Sequence, residues 1–205
     1  GPAQRASLSA QTDVASDAGV GDAGAPTDDE VLLDAVRALD DAQLLYVADV
    51  ANAGEVEEAR AAWPKLSLEL TREFADDMIE DHGDARDALL TFSDANDLFM
   101  APSDVSWVLN RQGERAARRL LLAPEPVDRL YIHGQVLAHE RALALFTALE
   151  EAADAAALQA LFAAQRTTIE EHLGEVRELA ATELPESDAG VPDAGVDGGG
   201  GAETP

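Results

Sequence analysis

The sequence predicts an all-α protein, a bundle of four long helices between disordered acidic tails, on three observations. Apolar residues keep a helical period from about residue 28 to residue 184, and no stretch alternates apolar with polar as a half-buried strand would. Of the 205 residues, 46% are hydrophobic but only 4% aromatic, which suits small-residue helix packing around one core. Helix breakers fall between the periodic segments, at Pro64, at Pro124 with Pro126, and at Pro185.

The elements follow in order. "TDDE" at Thr27 to Glu30 is a capping box, in which hydroxyl and carboxylate each accept a free N–H of a short lead-in helix. "DDAQLLYVADVANAGEVEEARAAW" is the first long helix, capped by Asp40 or Asp41 and stopped by Pro64. The second spans about residues 66–92, and a loop covers 96–103. "DVSWVLNRQGERAARRLLL" is a helical connector that ends before Pro124. The third and fourth long helices cover about 127–151 and 155–182. A connector of some 20 residues rises about 30 Å at 1.5 Å per residue, the full height of a bundle. It therefore returns the chain to its starting end before the third helix, which is a ferritin-like crossover; a plain up-down-up-down bundle uses short loops.

The bundle domain thus covers residues 28–184. The flanks, 1–27 and 185–205, resemble each other: "SDAGVGDAGAP" and "SDAGVPDAGVDGGGG" are small, acidic and free of aromatics. Neither buries enough apolar area to offset backbone ordering, so both are expected to be disordered tethers. Gly198 to Gly201 do not make a phosphate loop, because no strand precedes them and no Gly-Lys-Ser/Thr is present.

Composition excludes several functions. Acids outnumber bases 41 to 14, and a net charge of −27 repels phosphate backbones, so no nucleic-acid partner is expected. Without cysteine there is no disulfide, thiolate metal site or cysteine nucleophile. No apolar run approaches the ~18 residues of a membrane span. Gly1-Pro2 has the look of a cleaved-tag scar, so an export or lipid-anchor segment is expected to have been removed ahead of it. No serine sits in a nucleophile elbow and no Asp-His-Ser arrangement is visible, so no catalytic residue is assigned.

Polar residues interrupt the apolar stripes. His82 follows Phe74 and Met78, His139 lies between Gln135 and Ala142, and His172 lies between Ile169 and Val176. Glu55 shares a face with Leu44, Ala48, Asn52 and Ala59. His133 is off its stripe and expected at the surface. Under the crossover topology Glu55, His172, His139 and His82 lie about 8, 10, 12 and 16 residues from one end, a spread near 12 Å. Imidazoles and a carboxylate meeting inside a bundle suit one ion of Zn, Cu, Fe or Mn. The alternative is a set of buried histidines satisfied by neighbours such as Tyr131 and Gln135. A di-iron centre is disfavoured, because Ile79, Val136 and Ile169 stand where its Glu-x-x-His motif needs glutamate. Arg111, Arg115, Arg118 and Arg119 read as a solvated connector face, and the acids of "GEVEE" and "MIEDHGD" other than Glu55 as mostly exposed helix surface.

"DAQLLYVADVANAGEVEEARAA", "FADDMIEDHGDA", "VDRLYIHGQVLAHERALALF" and "IEEHLGEVRELA" resemble the four blocks of domain of unknown function family 4142. The resemblance implies a ferritin-like bundle in a bacterial, exported protein, periplasmic or tethered to the outer membrane. It points at Glu55, His82, His139 and His172 as metal ligands, with Tyr131 and Gln135 as further cofactor-binding residues. It supplies no activity. The alternative function is a non-enzymatic cell-envelope interaction or stress protein that binds an envelope partner and no metal; a third reading is a small apolar ligand held between the helices without coordination.

Overall fold

In the computed structural model, which describes residues 27–184, every regular element is a helix, and there is no strand among the described residues. The expected disordered tails fall almost entirely outside those residues. The six α-helices are α1 (Asp28–Val36), α2 (Asp41–Ala62), α3 (Glu69–Ala95), α4 (Asp104–Leu122), α5 (Asp128–Ala152) and α6 (Ala156–Glu183). None of them is long and apolar enough to cross a membrane.

Helix starts are fixed by side chains that accept the free N–H groups. Thr27 and Glu30 close the expected capping box on α1, and Asp40 rather than Asp41 closes another with Gln43 on α2. Ser103 does the same for α4 with Ser106. The helices α3 and α6 have no cap of their own and borrow one from across the molecule. Asp128, at the start of α5, accepts from Ser67 N and Leu68 N at 2.9–3.0 Å and from the Ser67 hydroxyl at 2.9 Å. Burial works against its charge, yet these donors hold its carboxyl below the ordinary value. Asp41, freed from capping α2, accepts from Asp154 N at 2.8 Å and Ala155 N at 3.1 Å and so caps α6.

These contacts also set the directions of the helices. Ala101 N, after α3, donates to Ala42 O at the start of α2. Lys65, after α2, donates to the carbonyls of Leu120 and Leu121 at the end of α4. The connector α4 therefore runs the length of α2 in the same direction. It brings the chain back so that α5 runs parallel to α3. Along the bundle α2 packs on α3, α3 on α6, α6 on α5, and α5 on α2. α4 lies outside this ring, on α2, where Gly54 and Gly113 meet so closely that a Cβ on Gly113 would stand 3.1 Å from the Gly54 Cα.

One boundary differs from expectation in a way that matters. Pro64 forms a 3-10 turn, Trp63–Lys65, and Leu66 and Leu68 are extended, so α3 begins three residues later than the periodicity suggests. Two apolar clusters fill the ends of the bundle, one around Leu44, Phe146, Leu158 and Phe162, the other around Phe74, Met78, Ile132 and Val176. Between them lies a buried polar layer of Asn52, His82, Gln135, His139, Gln165 and His172.

Candidate metal centre

The late start of α3 brings the histidines to one level. Counted from Glu69, Asp128 and Glu183, at one end of the bundle, His82, His139 and His172 lie 13, 11 and 11 residues in. At 1.5 Å per residue that is a spread of about 3 Å. Their ring centroids are 5.3–5.9 Å apart. One nitrogen from each lies within 4.8 Å of the other two, and no other group of three or more such ligands closes among the described residues. An ion centred among the three would lie at most about 2.8 Å from each, against ~2.0–2.1 Å for a zinc–imidazole bond. Each ring thus needs to move inward by about 0.7 Å or less to make three standard bonds.

Hydrogen bonds decide which nitrogen each ring offers. Gln165 donates through Nε2 to Ala85 O at 3.1 Å, so its Oε1 accepts from Asn52 Nδ2 at 3.1 Å. Asn52 Nδ2 also donates to Ala48 O at 2.8 Å. Only Asn52 Oδ1 is left to face His82, at 2.7 Å, so His82 Nδ1 carries the proton and Nε2 is bare. His139 Nδ1 donates to Gln135 O at 3.0 Å, which leaves its Nε2 bare. His172 Nε2 donates to the Asp81 carboxylate at 2.9 Å, which leaves its Nδ1 bare. All three bare nitrogens are buried with no hydrogen-bond partner.

Burial disfavours charge on the His82 and His139 rings. It pushes His82 well below its ordinary value, with the neighbouring His139 and His172 adding to the effect. It takes His139 down to about 4, against a pull upward from the Gln135 carbonyl. A neutral imidazole is the form that ligates a metal.

Glu55 stands seven residues from the same end, counted from Ala62, about 6–9 Å above the histidines along the axis. It is half-buried and outside the three-nitrogen group, and its Oε2 is buried with no partner. Burial pushes its carboxyl up to about 7, while the Gln135 amide and the His172 ring pull the other way. Gln135 and Tyr131 are buried beside it. Neither atom of the Gln135 amide, nor the Tyr131 hydroxyl, closes a well-formed hydrogen bond. Burial, then the charges of Glu55 and Glu58, raise the tyrosine further above its ordinary value. Phe74 lies 6.2–6.4 Å from the rings of Tyr131, His139 and His172 and covers that side of the layer with an apolar face.

His133 is exposed, as are the four connector arginines. Glu58 is a correction. It was expected at the surface, but α4 packing at Gly54 half-buries it, and burial with the neighbouring Glu55 pushes its carboxyl up to about 8 against Arg119. Asp81 is the residue that sequence reasoning passed over: its side chain is 47% exposed, one position off the apolar stripe, yet it orients His172. Asn52 was visible only as a member of the α2 face.

The model of the family described as Domain of unknown function (DUF4142) matches residues 30–179, most of the chain. No curated protein and no solved structure matches.

Proposed function

This chain belongs to the DUF4142 family, and we propose that in it His82, His139 and His172 bind one transition-metal ion in the core of a ferritin-like four-helix bundle. The observation behind the proposal is the set of three buried, bare imidazole nitrogens whose opposite nitrogens are all committed to protein acceptors. A buried polar atom left without a partner costs about 1–3 kcal/mol. Three such atoms facing one another have no compensation within the protein, and a cation supplies it. Acceptors behind the rings, here an amide, a backbone carbonyl and a carboxylate, are the outer support that metal-ligating histidines use to fix tautomer and raise basicity.

Zn, Cu, Fe and Mn all accept imidazole nitrogen, and three protein ligands leave a further position for water or substrate. Glu55, whose carboxyl is influenced by the His172 ring, offsets the charge of the ion; Gln135 and Tyr131 are the remaining polar groups for whatever fills the open position. Two features support the ferritin-like bundle: the closed ring of contacts among α2, α3, α6 and α5, and a connector that spans the full length of α2. An exported, periplasmic or outer-membrane-tethered setting belongs with the same proposal. A chain without cysteine has no thiol for an oxidising compartment to oxidise.

Dialysed protein should carry one Zn, Cu, Fe or Mn per chain by elemental analysis, and the His82→Ala, His139→Ala double variant should carry none. Adding the same metal to stripped protein should raise its melting temperature. Metal-free protein whose melting responds to none of the four would leave the second function, an envelope interaction or stress protein with the bundle as scaffold.

A further inference from the structure

Because α4 packs along α2 and α5 along α6, a groove of about 710 Å³ stays open between α4 and α5, with α2 as its floor. That volume is typical of small-molecule sites. Its character changes along its length. Towards the start of α4 it is walled by Leu32, Leu33, Leu109 and Leu145; towards the end of α4 it is lined by Arg115, Arg119, Glu55 and Glu58. The other charges on its rim are matched: Arg141 pairs with Asp29 at 3.2 Å, and Glu140 with Arg177 at 2.7 Å. Arg115 and Arg119 make no ion pair among the described residues, in a protein of net charge −27. Leu137 lines the groove with more than half its surface in solvent, and a Cβ placed on Gly134 would meet nothing within 4 Å. On the floor, Glu55 is half-buried, with one carboxylate oxygen buried and unpartnered.

Two arginines at one end of an apolar trough, neither within ion-pair distance of a carboxylate among the described residues although Glu55 and Glu58 lie near, match a ligand with one anionic head and one apolar chain. We propose that the groove binds a single-chain carboxylate amphiphile, its carboxylate on Arg115 and Arg119 and its chain running towards Leu109 and Leu145. From Arg119 to Leu109 is ten residues of helix, or about 15 Å, enough for a chain of about ten carbons. The planar guanidinium groups suit a carboxylate, and an alcohol of the same length offers them no charge. Binding does not require an ion on the histidines, which lie beyond Glu55.

The test uses the full chain, stripped of metal, titrated with 11-(dansylamino)undecanoic acid and followed by fluorescence. One saturable site should appear, with decanoate displacing the probe at least tenfold better than 1-decanol. Arg115→Gln with Arg119→Gln should weaken decanoate at least tenfold and leave 1-decanol unchanged. Gly134→Leu, which places a side chain in the open trough on a helix that tolerates it, should abolish both while the circular dichroism stays helical. No saturable binding, equal displacement by the alcohol, or arginine variants that bind like the parent would overturn the proposal. So would loss of decanoate binding in folded His82→Ala, His139→Ala protein, because the head group would then sit at the histidines. Unchanged binding in that variant would keep the groove as a site of its own even if the histidines hold no metal.

Discussion

Around Phe146 and Phe162, whose rings meet edge-on at 6.3 Å, the bundle is filled by apolar side chains alone. A few turns along the same helices, the layer holding His82, His139 and His172 buries three bare ring nitrogens, the whole Gln135 amide, the Tyr131 hydroxyl and one oxygen of Glu55 without partners. The two regions share helices and burial but differ in what completes them. Close packing completes the first, where Leu44, Phe146, Leu158 and Phe162 lie almost wholly out of solvent. The second buries polar atoms for which the chain offers no partner, and each such atom costs stability in the metal-free fold.

The contrast is broken most severely by removing packing. Phe162→Ala should cost about 3–5 kcal/mol in denaturant unfolding, because it leaves a cavity between α5 and α6, yet metal stoichiometry should stay as in the parent. A comparable loss of metal would mean that the two regions are not separable.

In the polar layer the sign depends on pH. The folded carboxyl of Glu55, raised to about 7 from an unfolded 4.5, gives stability that is complete below about pH 4.5 and lost as pH rises through 7. His139, lowered to about 4, acts the other way: its contribution is complete above about 6.5 and lost as pH falls through 4. Glu55→Gln keeps only the histidine side of this balance. In metal-free protein its stability relative to the parent should increase between pH 4.5 and 7, by on the order of 3 kcal/mol. Parallel pH profiles for parent and variant would show that Glu55 is not desolvated.

A smaller effect, of opposite sign to the phenylalanine, is expected from His139→Leu. Filling the same space with an apolar side chain should stabilise the metal-free protein by about 1–3 kcal/mol and remove the rise in melting on adding metal. If the variant is instead less stable without metal, His139 is satisfied in the native core. The mildest change lies outside the layer: Asp81→Ala should weaken metal binding by about 10–100-fold through the orientation of His172, with stability nearly unchanged.

Much of this was legible in the sequence because helical periodicity is local. Spacing alone placed His82, His139, His172 and Glu55 on inward faces, and the length of the connector pointed to the direction of α5. Their common level was harder to read. It depends on Pro64 and an extended Leu66 to Leu68 that delay α3 by three residues, a shift periodicity registers poorly. Asp81 and Glu58 were out of reach for another reason. Each lies off its helix's apolar stripe and gains its role from a different helix, α6 for Asp81 and α4 for Glu58, so no pattern within one segment marks it. Asn52 lay on a recognised face, but its orientation is imposed by Gln165, 113 positions away.

X-ray absorption at the edge of the bound metal tests the central claim most directly. Three imidazole nitrogens near 2.0–2.1 Å are expected if that metal is zinc, with the multiple-scattering pattern of histidine and with that shell lost in His82→Ala, His139→Ala protein. A shell of oxygens alone, or an imidazole pattern that survives the double substitution, would contradict a three-histidine site.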